Sequence, residues 1–193
     1  MRVTLTAVCA AAAMAASLPA VASVVVFHTN LSGAAEAPPN ASPGTGTATV
    51  TLDDVLHTMR VEVSFADLLG TTTASHIHCC TTIPGVGTVG VATVLPTFTG
   101  FPPGVTSGTY DHTFDLTLAS SWNPSFVTAH GGTTAGAESF FGAGMAAGKA
   151  YLNIHTTRFP GGEIRGFLVP EPASYALVLV GLALLGASRR KAA

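Results

Sequence analysis

The side chains in this sequence best suited to chemistry are three histidines, His76, His78 and His155. His76-Ile77-His78 lies in a short segment, Ala74 to His78, that reads as a β-strand. Residues i and i+2 of a strand project to one face, so both imidazoles can reach a single ion while Ile77 points the other way. Ile154-His155 follows the same logic. If Ile77 and Ile154 face the core, the three histidines face away from it, and they form a triad where the two strands are neighbours. Zinc or copper matches such a donor set. Glu163, expected opposite His155, would orient that ring. Cys79 or Cys80 would add a thiolate, or the two would close on each other as a vicinal disulfide. The competing reading is a polar network. Asn153, Glu163 and Arg165 join the histidines in it, and backbone carbonyls hold the rings in place.

The element that must position this set is residues 151–168, YLNIHTTRFPGGEIRGFL. Tyr151 to Thr156 alternates apolar and polar residues, as a half-buried strand does. Thr157 to Gly161 supplies a turn with a Pro-Gly signal, and Gly162 to Leu168 returns. A five-residue loop sets the register: Ile154 faces Ile164, Asn153 faces Arg165, Leu152 faces Gly166 and His155 faces Glu163. Directly paired residues share a face, so the apolar residues collect on one side and the polar ones on the other.

The other segments fit a sheet that carries this hairpin. Val24 to Leu31 reads as a strand, and Thr45 to Leu52 and Thr58 to Phe65 as a hairpin that turns Met59, Val61, Val63 and Phe65 inward. A further strand is expected within Val86 to Leu95. Thr109 to Leu118 alternates strictly, which makes His112 a histidine of the apolar face. Trp122-Asn123-Pro124-Ser125 reads as a chain break. Residues 133–147 read as the one internal helix, capped by Thr134 and ended by Gly148. The expected class is all-β: an Ig-like, Greek-key antiparallel β-sandwich with that helix, an N-terminal signal and a C-terminal hydrophobic helix.

Asn153-Ile154-His155-Thr156 followed by Gly162-Glu163-Ile164-Arg165-Gly166 resembles the C-terminal signature of the CHRD domain. Leu31-Ser32-Gly33 with Glu36, and His76-Ile77-His78, extend the likeness over about 27–168. The resemblance implies an all-β, Ig-like exported domain and carries over no catalytic residues. Two addresses flank it. Arg2, an apolar run and Ala20-Val21-Ala22 read as a signal peptide over 1–22. Pro170-Glu171-Pro172, an apolar stretch and Arg189-Arg190-Lys191 resemble the PEP-CTERM sorting signal over 169–193. That likeness implies an exosortase-type processing enzyme as partner, a Gram-negative host and transient inner-membrane anchoring through the tail.

From Ser23 to Pro172 lie four lysine and arginine residues against ten acids, a net charge of −6, which argues against nucleic acid as a partner. No G-x-S-x-G, H-E-x-x-H or P-loop occurs, which argues against an enzyme. The function expected is a non-catalytic binding or structural module at the cell surface or in the extracellular matrix, with polysaccharide or protein as partner. The alternative is a metal-binding protein using His76, His78 and His155. In a host with the matching sortase, the product should end near Pro172. Intact-mass measurement checks this, and retention of Arg189 to Ala193 would contradict the sorting signal.

Overall fold

A computed structural model describes residues 24–171. The expected signal peptide (1–22) and the apolar, basic-ended part of the sorting tail lie outside the described residues, as does Pro172. Eight strands form one continuous sheet curled into a half-barrel. They are β1 (Val24–Ser32), β2 (Thr45–Asp53), β3 (Thr58–Ala66), β4 (Thr72–His78), β5 (Gly108–Asp115), β6 (Tyr151–Thr156), β7 (Ile164–Phe167) and β8 (Val169–Pro170). The order is β4-β6-β7-β1-β2-β3-β5, with β8 beside β1. The all-β class with one main helix is therefore observed, with the strands joined in a single curled sheet.

Alternation decides which residues line the concave side. Met59, Val61, Val63 and Phe65 of β3 pack with Val50 of β2, Phe27 and Leu31 of β1, and Ile77, Leu152, Ile154 and Ile164 of the β4-β6-β7 flank in one core. The β6-β7 ladder pairs Ile154 with Ile164, Asn153 with Arg165, Leu152 with Gly166 and Tyr151 with Phe167. Gly166 is required by close approach: a β-carbon there would run into the Asn30 carbonyl of β1.

Two helices close the core, α1 (Pro124–Ala129) and α2 (Thr134–Ala146). The first was read as a break. Asn123 caps it by accepting from the Ser125 N–H, and Pro124 takes a first-turn position where no N–H is needed. In α2 the cap is Thr133, one residue earlier than expected; its hydroxyl accepts from Gly136 N–H. Ala137, Phe141 and Met145 are buried, while Phe140 stays 44% exposed. Gly144 lies against the sulfurs of Cys79 and Cys80, which leave no room for a β-carbon.

The expected strand within Val86 to Leu95 does not form; the segment makes only isolated bridges, Ile83 to Val86, His78 to Val91 and Thr93 to Trp122. Its backbone runs irregularly along the outer edge of β4, with Ala92 N–H donating to Ile77 O and Cys79 N–H to Gly90 O. Among the described residues no helix is long and apolar enough to cross a membrane.

The core makes a direct test of the register. Ile154→Ala should cost about 2–5 kcal/mol in urea unfolding, while Leu56→Ala, at an exposed turn, should stay within about 0.5 kcal/mol.

Candidate metal centre

β4 and β6 are antiparallel neighbours, with His76 opposite Asn153, Ile77 opposite Leu152 and His78 opposite Tyr151. Ile77 and Ile154 are fully buried in the core, so parity sends His76, His78 and His155 to the opposite face. The structure brings the three together. Ring centroids lie 6.0 Å (His76–His78), 5.3 Å (His76–His155) and 6.1 Å (His78–His155) apart. One nitrogen from each ring lies within 4.8 Å of the others.

A backbone carbonyl holds one nitrogen of every ring. His76 Nε2 meets Pro96 O at 2.7 Å, His78 Nδ1 meets Val89 O at 2.7 Å and His155 Nδ1 meets Pro160 O at 2.8 Å. A carbonyl only accepts, so each of these nitrogens carries the proton. In the neutral rings the lone pairs are thereby assigned to His76 Nδ1, His78 Nε2 and His155 Nε2. His76 Nδ1 and His155 Nε2 are buried without a hydrogen-bond partner, and His78 Nε2 lies 3.1 Å from Asn153 Oδ1. Two of the carbonyls come from the irregular segment along β4. Val89 is itself clasped by the Tyr151 hydroxyl, whose ring stacks on His78 at 4.7 Å.

The environment keeps the rings neutral. Burial is the largest cause and holds His76 down at about 4, with His155 and His78 adding to the effect. Burial lowers His78 and His155 as well.

The other expected members take different places. Asn153 is in the site. Arg165 lies on the same face, over the Tyr151 ring at 4.7 Å; it donates to Ala35 O and Gly87 O and lies 3.8 Å from a Glu36 oxygen. Glu163 does not orient His155. The ladder ends at Ile154–Ile164, and Gly162, at φ 129°, turns the chain so that the Glu163 carboxylate points to the other side. There it accepts from Ser42 Oγ (2.6 Å), Thr156 Oγ1 (2.6 Å), Leu69 N–H (2.5 Å) and Gly70 N–H (3.1 Å). Burial alone would raise this carboxyl, but those four donors hold it below its usual value. Cys79 and Cys80 are bonded to each other beneath α2 and present no thiolate. His112 is half-buried between Tyr110 and Phe114, as expected for the apolar face.

Glu36 was not singled out as a site residue. Its carboxyl is buried and pushed up to about 7 by that burial, against the pull of Arg165. Its signal was an isolated acid in a Pro/Ala/Gly-rich connection, on the same face as one buried arginine.

The family model for the CHRD domain matches residues 27–168, and that for the PEP-CTERM protein-sorting motif matches residues 168–191. No curated protein and no solved structure matches the chain.

The buried charges set the pH behaviour of the metal-free domain. Each histidine has a lowered folded pKa, so its contribution is complete above about 6.5 and is lost as pH falls through the folded value, about 4 for His76. Glu36 runs the other way, complete below 4.5 and lost as pH rises through about 7. Three histidines against one glutamate should leave the urea midpoint lower at pH 5 than at pH 7. Glu163→Gln should lower stability at pH 7 by about 3 kcal/mol, because an amide presents donors to backbone donors.

Proposed function

The chain belongs to the CHRD-domain family and carries a PEP-CTERM sorting motif, and from that premise we propose that it is an exported surface protein whose domain holds a divalent transition-metal ion on His76, His78 and His155. The sorting motif indicates processing by exosortase-type machinery and a membrane-associated tail in a Gram-negative host. Display at the cell surface or in the matrix is part of the proposal, with polysaccharide or protein as the neighbour there.

The observation that carries the metal reading is the agreement of three tautomers. Each ring gives its N–H to a carbonyl and keeps a lone pair on its other nitrogen, and the three rings stand close enough to share an ion. The carbonyls do for these rings what outer-shell groups do for metal-ligating histidines: they fix the ring and raise its donor strength. Low proton affinity helps further, because a ligand that is already neutral has no proton to lose at neutral pH. Three imidazoles suit zinc or copper, with bonds of about 2.0–2.1 Å for zinc.

One observation favours the competing network reading. Asn153 Oδ1 already lies beside His78 Nε2, and reversing its amide would let Nδ2 donate to that nitrogen without any ion. In that case the rings only pin the 89–96 segment to the sheet.

Elemental analysis of the purified protein separates the two. The metal reading requires about one zinc or copper per chain, released by chelator and by acid as the imidazoles protonate. His78→Ala should lower affinity by at least ~100-fold, more than loss of an outer-shell partner does. His112→Ala should reduce stability and leave metal content unchanged. A chelator with no effect on metal content or melting, together with equal destabilisation by His78→Ala with or without metal, would establish the network instead.

A further inference from the structure

Three buried side-chain atoms among the described residues lack a hydrogen-bond partner: His76 Nδ1, His155 Nε2 and Glu36 Oε1. The first two are accounted for by the metal centre. Glu36 Oε1 lies on the same face of the sheet.

Glu36 follows a single 3-10 turn, Gly33–Ala35, that leaves β1. That turn is fastened by Asn40 N–H to Gly33 O and by Arg165 Nε to Ala35 O. Glu36 Oε2 faces Arg165, while Oε1 is turned over Gly162. A β-carbon on Gly162 would lie 2.5 Å from Glu36 Oε1 and 2.9 Å from Asn153 Nδ2. The missing side chain therefore lets the carboxylate and the amide converge over the bare α-carbon. The other end of that amide, Oδ1, is the atom 3.1 Å from His78 Nε2. Asn153 thus stands between Glu36 and a metal-ligating nitrogen.

An ion bound at His78 Nε2 takes that nitrogen's lone pair and removes any hydrogen bond between the ring and Asn153. Asn153 Oδ1 is then a buried acceptor beside a cation, and leaving it unsatisfied costs about 1–3 kcal/mol. All three histidines come from one face of two adjacent strands and supply three ligands, so a fourth position on the ion is left without a histidine. Three protein ligands with an open position is the arrangement of reactive zinc centres, whereas structural ones are closed by four.

We propose that the open position holds an exchangeable water, and that Glu36 is the positioning residue for it. Glu36 Oε1, unpartnered in the metal-free domain, takes Asn153 Nδ2 as its donor once the ion is bound, and so fixes Oδ1 as the acceptor of the water's hydrogen bond. This rests on the three-histidine reading and deepens it, making the centre one that exchanges a small ligand. The charged and titratable groups around Glu36 are Arg165, Tyr151 and, across a cleft of about 360 Å³, Arg158.

The test loads the purified protein with cobalt(II), whose visible spectrum reports coordination, and titrates it with azide. Azide has no proton to give Asn153 Oδ1, so the fixed amide opposes it. Wild-type protein should show a saturable spectral change. Glu36→Ala frees the amide to reverse and present Nδ2, so azide should bind about tenfold more tightly at one cobalt per chain, the equivalent of one hydrogen bond. Asn153→Ala should shift azide affinity in the same direction, which keeps the test intact if Glu36→Ala does not fold. Glu36→Gln keeps an acceptor and should match wild type. General damage to the site would weaken azide binding, so the sign separates positioning from structural loss. A loaded wild type blind to azide, or alanine variants with wild-type azide affinity, would overturn the proposal while leaving the metal centre standing. Failure to retain cobalt would overturn the centre itself.

Discussion

The buried carboxylate of Glu163 holds the architecture around the site in place. A carboxylate without water is tolerable only when donors surround it, and here the donors come from three separate stretches. Ser42 belongs to the connection between β1 and β2, Leu69 and Gly70 to the connection between β3 and β4, and Thr156 to the end of β6. One charge therefore ties the entry to β4 to the exit from β6, the two strands that carry the histidines. The turn that delivers Glu163 to this position also ends the hairpin ladder and brings Gly162 under Glu36. Core packing keeps the sheet together, and this carboxylate fixes how its irregular ends meet.

The legible part of the fold was the part with strict period two. In β3, β6 and β7 alternation placed the core side chains, and the facing isoleucines fixed the hairpin register. Legibility ended where backbone geometry overrode alternation. Glu163 reads as the neighbour of His155 until a glycine at positive φ turns it over. Val86 to Leu95 has the apolar content of a strand, yet its Val89 carbonyl is used on His78 and its amides only partly on β4. Asn123-Pro124 was read as a stop although an Asn cap before a proline is a helix start; the composition of a break and of a beginning overlap.

The site divides in the same way. Parity alone was enough to place three imidazoles on one face, because it needs only the isoleucines to be buried. The three carbonyls that choose the tautomers carry no signal, since every residue has one and the fold decides which meets a ring. Glu36 was quoted only as part of a family likeness, and its relation to Asn153 exists only because Gly162 has no side chain. Chemistry-bearing side chains could be nominated from the chain; the atoms that orient them could not.

The last strand gives the domain a direction. Val169 and Pro170 are laced to His28 and Phe27, Glu171 N–H donates to Val26 O, and its carboxylate meets His28 Nε2 at 2.5 Å. The sorting motif thus begins inside the sheet, with no spacer between domain and tail. From Arg165 to Glu171 the chain advances roughly 20 Å along β1, at about 3.3 Å per residue, away from the hairpin turn. Any surface that receives the tail meets the domain at the pole where β1 begins. The Thr157–Gly162 turn, with Glu36 and His155 beside it, lies at the opposite pole, where β1 ends and β7 begins.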